Sequence, residues 1–409
     1  MSNPFFSIFK SGRKKSITFT SNYPTMIGSF SAGTKLDCKT TAGQYNAYVN
    51  CPPVATLITS KATSANNAIW WFGKEDNSKT SNQIIKEYER LFKQPNKWQD
   101  WRRFVSLAYQ MNQLFGKAYI YIPTAYGVSK KYAEYMLVIP NQFVTPMYDY
   151  TRQMIASYQV NMGGKVYIIL PEDMCVWNDF TFDIANANDY MGGQSRLFSL
   201  SDPVNIVTAA YEANYTVLTR HGMSGILSPD PSNNIEGATL MMDDEQKKQV
   251  QDDLHNNYGY QRGQWQLMVT GQPVKYTPVS RPMRELMINE SIQNAVRQIA
   301  EAYRYPMYLL GFAGGTTFNN VSEAKKSLYS DAIIPEMSGF ADTLNAFLGN
   351  NSDNKFRYDF GHIPEMQPSM VEREGRLKSA AERLKIEIEA GIITIQEAKT
   401  EMTELKAEP

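Results

Sequence analysis

Between Asn96 and Gly116 the apolar positions recur at steps of three and four: Trp98, Trp101, Phe104, Val105, Ala108 and Met111, with Leu114 and Phe115 closing the stripe. That period predicts an amphipathic helix, and Gly116 is placed to end it. Upstream, the run from Ala47 to Gly73 reads as helical, started or interrupted near Pro52 and Pro53 and continuing to about Ala62. After Gly116 the period shortens. KAYIYIP, YAEYMLVIP, FVTPMYDY, SYQVN and KVYIILP are short runs rich in Tyr, Val and Ile, divided by Pro, Gly and Asn. They predict antiparallel strands of a small sheet.

From Asp202 the helical period returns. Asp202 is the expected N-cap, Pro203 the first helical residue and Gly222 the stop, with Val207, Ala210, Tyr211, Tyr215 and Leu218 as the stripe. The stretch 223–281 is mixed, with a strand-like GIL, a polar helix after Met242, and WQLMVTG and KYTPV as strand candidates. A second helix, from about Arg284 to Tyr303, buries Leu286, Ile292, Val296 and Ile299. Pro306 ends it, because the residue before a proline avoids the helical region. A glycine-rich turn, GFAGGTTFNN, leads to a long helix from Ser322 to Leu348, and Pro335 inside it predicts a kink. The charged C-terminal part is helical, with a capping box at Thr394–Glu397. The class is α+β.

Composition narrows the functions. Lys+Arg and Asp+Glu both count 41, so the formal net charge is zero. A chain that grips nucleic acid statically carries a basic excess, whereas transient passage of DNA needs none. The only basic stretch is 1–39, where Lys10, Arg13, Lys14, Lys15, Lys35 and Lys39 face Asp37 alone. It reads as a poorly ordered arm, solvated or touching nucleic acid or capsid. Three cysteines without metal-site rhythm argue against a disulfide scaffold. No run is long enough for a transmembrane helix and the opening has no apolar h-region, so no membrane is expected. Abundant Tyr (25) and Met (20) suit subunit interfaces.

The tests for chemistry fail one by one. A P-loop needs Lys-Ser/Thr directly after its last glycine, but Thr316 and Thr317 follow Gly315, and Lys325 and Lys326 come more than two turns late. Gly311, Gly314 and Gly315 therefore read as hinge residues. No His/Cys cluster has zinc spacing. Ser224 lacks the G-x-S-x-G elbow. Asp243 and Asp244 are adjacent, so their side chains diverge on a helix and, with Glu245, Asp252 and Asp253, form a charged surface. No catalytic residue, metal or cofactor is expected.

Several short motifs in collinear order resemble the portal proteins of long-tailed phages, over roughly Gln94 to Met402. They are QPN at Gln94 before a helix and GKAYIYI, VIPNQFV from Val138, LPEDMCVW from Leu170, and GGQSRLFSL from Gly192 with Arg196 where the family pattern has proline. RHGMSGIL from Arg220, QIAEAYRYPMYLLG from Gln298, the long helix with its internal proline, and GIITIQEAK from Gly391 complete the series.

The resemblance implies a portal-type fold: a wing over 40–201, stem helices over 202–222 and 282–304, and a clip over 223–281. A tunnel loop and long wing helix would fill 305–348, a wing strand 349–368 and a short helical crown 369–409. It also implies a dodecameric ring at one capsid vertex of the virion, assembled in the host cytoplasm. Double-stranded DNA would pass through the bore, and terminase, neck or adaptor proteins and the major capsid protein would dock on the ring. In that frame Gly311, Gly314, Gly315, Thr316, Thr317, Asn319 and Asn320 line the channel, and the five acids from Asp243 to Asp253 face the clip surface. Two rivals are weighed against this reading. An adaptor or minor head protein fits the size and the helix–insert–helix order less well, and a DNA-processing enzyme would need a carboxylate–metal cluster or a P-loop.

Overall fold

The computed structural model describes residues 35–73, most of 91–219, and the segments 225–229, 274–278, 288–311, 318–350, 355–367, 370–390 and 393–407, together with Glu245, Lys248 and Asp252. In chain order the elements are α1 (Thr41–Asn50), α2 (Pro52–Ala65), β1 (Ile69–Gly73), α3 (Trp101–Phe115), β2 (Lys117–Tyr121), β3 (Leu137–Ile139), β4 (Val144–Asp149), β5 (Met154–Met162), β6 (Lys165–Ile169) and β7 (Met174–Asn178). They continue with α4 (Ser201–Thr219), β8 (Gly225–Pro229), β9 (Val274–Pro278), α5 (Ile288–Ala302), α6 (Phe318–Ser327), α7 (Ile334–Leu348), β10 (Lys355–Asp359), α8 (Met370–Glu389) and α9 (Ile395–Ala407). Helices and antiparallel strands are mixed. The chain forms two units, one from the described parts of 56–196 and 300–409, the other from those of 27–55 and 197–299.

In the first unit, α3 shows how local signals set an element's limits. The Asp100 carboxylate accepts from the Arg103 N–H at 2.8 Å and caps the helix. Such a cap contributes about 1 kcal/mol. Gly116, at φ +76°, ends it with its N–H on the Asn112 carbonyl. The cap excludes Trp98, expected on the buried stripe, which lies outside the helix and is 38% exposed. Trp101, Phe104, Val105, Ala108, Leu114 and Phe115 are buried as the period predicts.

Helix α3 packs on β2, the middle strand of the sheet β3–β2–β7. Tyr119 and Tyr121 of β2 share one core with Leu137, Ile139 and Met174 and with Tyr158, Val160 and Ile169 of a second sheet, β4–β5–β6. The expected single sheet is therefore two, because the turn at Asn141–Phe143 separates β3 from β4 and the Pro171–Asp173 turn separates β6 from β7. A bulge beside Met147 and Tyr148 shifts the register, so Ile155 joins the face of Tyr158 despite its odd offset.

The run read as helical over 47–73 divides three ways. Cys51 breaks α1 from α2, and after the Asn66–Asn67 turn the aromatic IWWFG pairs with β10, Trp70 opposite Tyr358. Trp70 then meets Trp101 and Phe340 edge-on, with ring centroids 5.7 and 5.8 Å apart. Near the C-terminus the capping box forms as expected. The Thr394 N–H donates to the Glu397 carboxylate at 2.8 Å, and the Glu397 N–H donates to the Thr394 hydroxyl at 3.3 Å.

The chain returns past the end of α3 at Gly193. A Cβ built there would stand 1.8 Å from the Gly116 carbonyl oxygen, and that oxygen already accepts the Asp179 N–H at 2.7 Å. Both partners are backbone, so neither can move aside cheaply. Gly193→Ala is expected to cost about 3 kcal/mol through overpacking, read in a chain of this length as a fall of roughly 3–4 °C in the thermal midpoint.

In the second unit, residues 35–39 are packed, which shortens the expected disordered arm; residues 1–34 lie outside the described part. Leu36 and Cys38 are buried. The Leu36 N–H donates to Asn205 Oδ1 at 2.7 Å, and Asn205 Nδ2 donates back to the Leu36 carbonyl at 2.9 Å. Helix α4 begins at Ser201, so Asp202 stands in its first turn, paired with Lys35 at 2.7 Å, rather than at the cap. Val204 and Val207 are buried, but Tyr211 and Tyr215 of the expected stripe are exposed. Helix α5 is cleanly amphipathic, burying Ile292, Ala295, Val296 and Ile299. Strands β8 and β9 pair antiparallel. The candidate strand WQLMVTG lies outside the described residues.

Candidate functional site

The expected channel segment starts where α5 ends. Tyr305 N–H reaches the Ala300 carbonyl at 2.8 Å and Arg304 N–H reaches the Glu301 carbonyl at 3.0 Å. This pair of bonds is a Schellman motif with Arg304 at the left-handed position, φ +52°. The helix thus stops at Ala302 through its own cap, a little before Pro306. The end of α7 makes the same motif with glycine. Asn350 N–H bonds the Asn345 carbonyl at 3.0 Å and Gly349 N–H the Ala346 carbonyl at 3.3 Å, with Gly349 at φ +69°. Among the described residues Arg304 is the one non-glycine at positive φ. That conformation costs roughly 1–2 kcal/mol for a residue with a Cβ.

Pro306 then opens a 3-10 turn, Met307–Leu310, and Gly311 leaves it at φ +73° with open space around a would-be Cβ. Gly314, Gly315, Thr316 and Thr317 lie outside the described residues. Asn319 and Asn320 stand in α6 rather than in a loop. No Gly or Pro between 316 and 334 stops the helix, so it starts a turn earlier than Ser322. Asn320 is exposed. No charged residue occurs from Tyr305 to Val321.

Ahead of Pro335 the long helix contains a π turn, Leu328–Ile333, which takes the place of the simple kink expected there. A proline at 335 cannot donate to the carbonyl of Asp331, four residues back. That carbonyl instead accepts from Arg304 Nη1 at 3.3 Å. The Asp331 carboxylate accepts from the Ser327 and Ser330 hydroxyls at 2.6 and 2.8 Å, which hold its pKa below the ordinary value, Arg304 adding to the effect.

Behind the loop root lies a buried polar cluster whose members are scattered along the sequence. Lys61 of α2, fully buried, donates to Glu336 of α7 at 2.8 Å, to Gln113 of α3 at 2.9 Å and to the Tyr303 carbonyl at 3.0 Å. Arg196 clasps Asp179 with two bonds of 2.8 and 2.9 Å and reaches Glu336 at 2.8 Å. Tyr109 donates to the other Glu336 oxygen. Two cations and two anions leave the cluster neutral. Burial pushes the Lys61 ammonium down to about 8, against the pull of Glu336. Burial acts to raise the Glu336 carboxyl, but Lys61 and Arg196 outweigh it and hold the group below its ordinary value. Burial and the Glu336 charge raise the Tyr109 phenol well above its usual range.

Of the expected clip acids, Glu245 and Asp252 are helical and exposed, and Asp243, Asp244 and Asp253 lie outside the described residues. Among the described residues no group of three or more His, Cys, Asp or Glu is arranged to hold a metal, and no helix is long and apolar enough to cross a membrane.

The family model described as phage portal protein matches residues 54–402. The chain belongs to the phage portal protein family. Solved structures agree in fold. The neck of a native gene transfer agent particle, computed with C12 symmetry, superposes with TM-score 0.59 at 15% identity, covering 88% of this portal chain and 92% of its own. An HK97-family phage portal protein from Corynebacterium diphtheriae gives TM-score 0.53 at 12% identity, covering 81% of this chain and 99% of that one. An uncharacterized protein of Rickettsia felis is 23% identical over 295 residues, 71% of the portal chain and 72% of the relative.

Proposed function

We propose that this portal chain is the subunit of a closed ring at one capsid vertex, a structural and non-enzymatic conduit through which double-stranded DNA is packaged and ejected. The family match over 54–402 carries the reading. Twelve copies is the expected number, supported by the C12 symmetry of the similar neck. A closed ring needs two complementary patches on every subunit. Segment 305–321 faces the bore in this reading, with Gly311, Gly314, Gly315, Thr316, Thr317, Asn319 and Asn320 nearest the DNA. Its lack of charge suits a surface that duplex DNA must slide past, since each fixed phosphate contact adds salt-dependent affinity. Asp243, Asp244, Glu245, Asp252 and Asp253 form a docking face for terminase and later for neck proteins, and the wing meets the major capsid protein.

Native mass spectrometry of the purified protein tests the assembly. The expected species is a closed oligomer of the 46.5 kDa chain, centred on twelve copies. A chain that stays monomeric both in solution and in particles would overturn the reading.

A further inference from the structure

The left-handed position that ends α5 holds an arginine where the end of α7 holds a glycine. Glycine adopts that conformation without steric penalty, so a residue with a Cβ there calls for a compensating contact. Arg304 makes one. Its guanidinium lies on the Asp331 carbonyl, the acceptor that Pro335 leaves without its α-helical donor. One residue earlier, the Tyr303 carbonyl is held by Lys61, which also binds Glu336 just past the proline. Residues 303 and 304 are therefore tied to the long helix on both sides of Pro335, at Asp331 within the π turn and, through Lys61, at Glu336. Tyr305, next in the chain, is buried.

We propose that Arg304 is a positioning residue for the channel loop: it docks the loop root, 305–311, onto the π turn of the long helix, so that root and defect move together. The link to DNA rests on the channel reading of 305–321; the docking itself does not. The unusual backbone of Arg304 is then the cost of placing a long cationic side chain where a helix cap would otherwise take glycine. The Asp331 carboxylate beside it, held by Ser327 and Ser330, keeps an anion close to the guanidinium.

Hydrogen–deuterium exchange on the assembled full-length protein tests this with Arg304→Gly. A residue acting only as a helix cap should be improved by glycine. The thermal midpoint is therefore expected to hold or rise, with amides of 305–311 and 331–336 exchanging about fivefold to tenfold faster, as the loss of one charged hydrogen bond allows. Arg304→Gln, which keeps the length but not the charge, is expected to move exchange in the same direction and covers a failure of the glycine variant to assemble. Pro335→Ala supplies the missing N–H, so in that background Arg304→Gly should leave 331–336 at its unsubstituted rate. Wild-type exchange in both Arg304 variants, or no rescue by Pro335→Ala, would overturn the proposal. Faster exchange with DNA packaging unchanged would leave the docking role standing and remove the channel reading of the loop.

Discussion

Replacing Glu336 by alanine is expected to cost about 3–5 kcal/mol, because it strips a buried charge of its partner. Lys61 would keep only Gln113 and the Tyr303 carbonyl, while Arg196 would still hold Asp179. The loss falls mainly on Lys61, so Glu336→Ala combined with Lys61→Met should recover part of it: the second change removes the stranded cation and fills the space. Urea unfolding of the single and double variants measures the effect. A single variant within about 1 kcal/mol of wild type would show that the cluster is not the tie it looks. The same carboxylate has a pH consequence. Its folded pKa lies below the ordinary 4.5, so its contribution is present above that value and is lost as pH falls through the folded one. The acid limb of the stability curve should therefore be shallower in Glu336→Gln than in wild type.

The second large effect concerns the loop. Thr316→Lys with Asn319→Lys adds two cations per subunit to a segment that has none. If segment 305–321 faces the bore as proposed, these charges would encircle the duplex and turn a sliding surface into a gripping one. DNA packaging is expected to slow about tenfold at roughly 50 mM salt and to recover largely by roughly 200 mM, because phosphate contacts weaken steeply over that range. The ring itself should form normally, since in this reading both sites face the bore and not a neighbouring subunit. Packaging at the wild-type rate in every salt condition would place the loop away from DNA.

Much of the fold was legible in the residues. The period of Trp101 to Phe115 announced α3, the tyrosine- and valine-rich runs announced the strands, and Thr394 with Glu397 announced the last helix. What escaped did so for physical reasons. IWWFG is too short to show a period and followed a helical run, and only its pairing with β10, far along the chain, makes it a strand. The tyrosines of α4 lie on a stripe, but a stripe states which face can be covered and not that anything covers it; Tyr215 is 68% exposed.

The buried cluster was illegible because its members stand at 61, 109, 179, 196, 303 and 336, each in an unremarkable local setting. Its one signal was Arg196 in a motif whose pattern has proline, and that departure marks a side chain clasping two buried acids. Arg304 offered less still. A helix ending before a proline without a glycine gives no hint that arginine occupies the glycine position.

Cryo-electron microscopy of the purified assembly tests the central claim most directly, because it locates the loop root relative to the symmetry axis. The expected result is a closed ring with a central hole and residues 305–311 on the wall of that hole. A ring with those residues on its outer rim, or particles without a central opening, would contradict it.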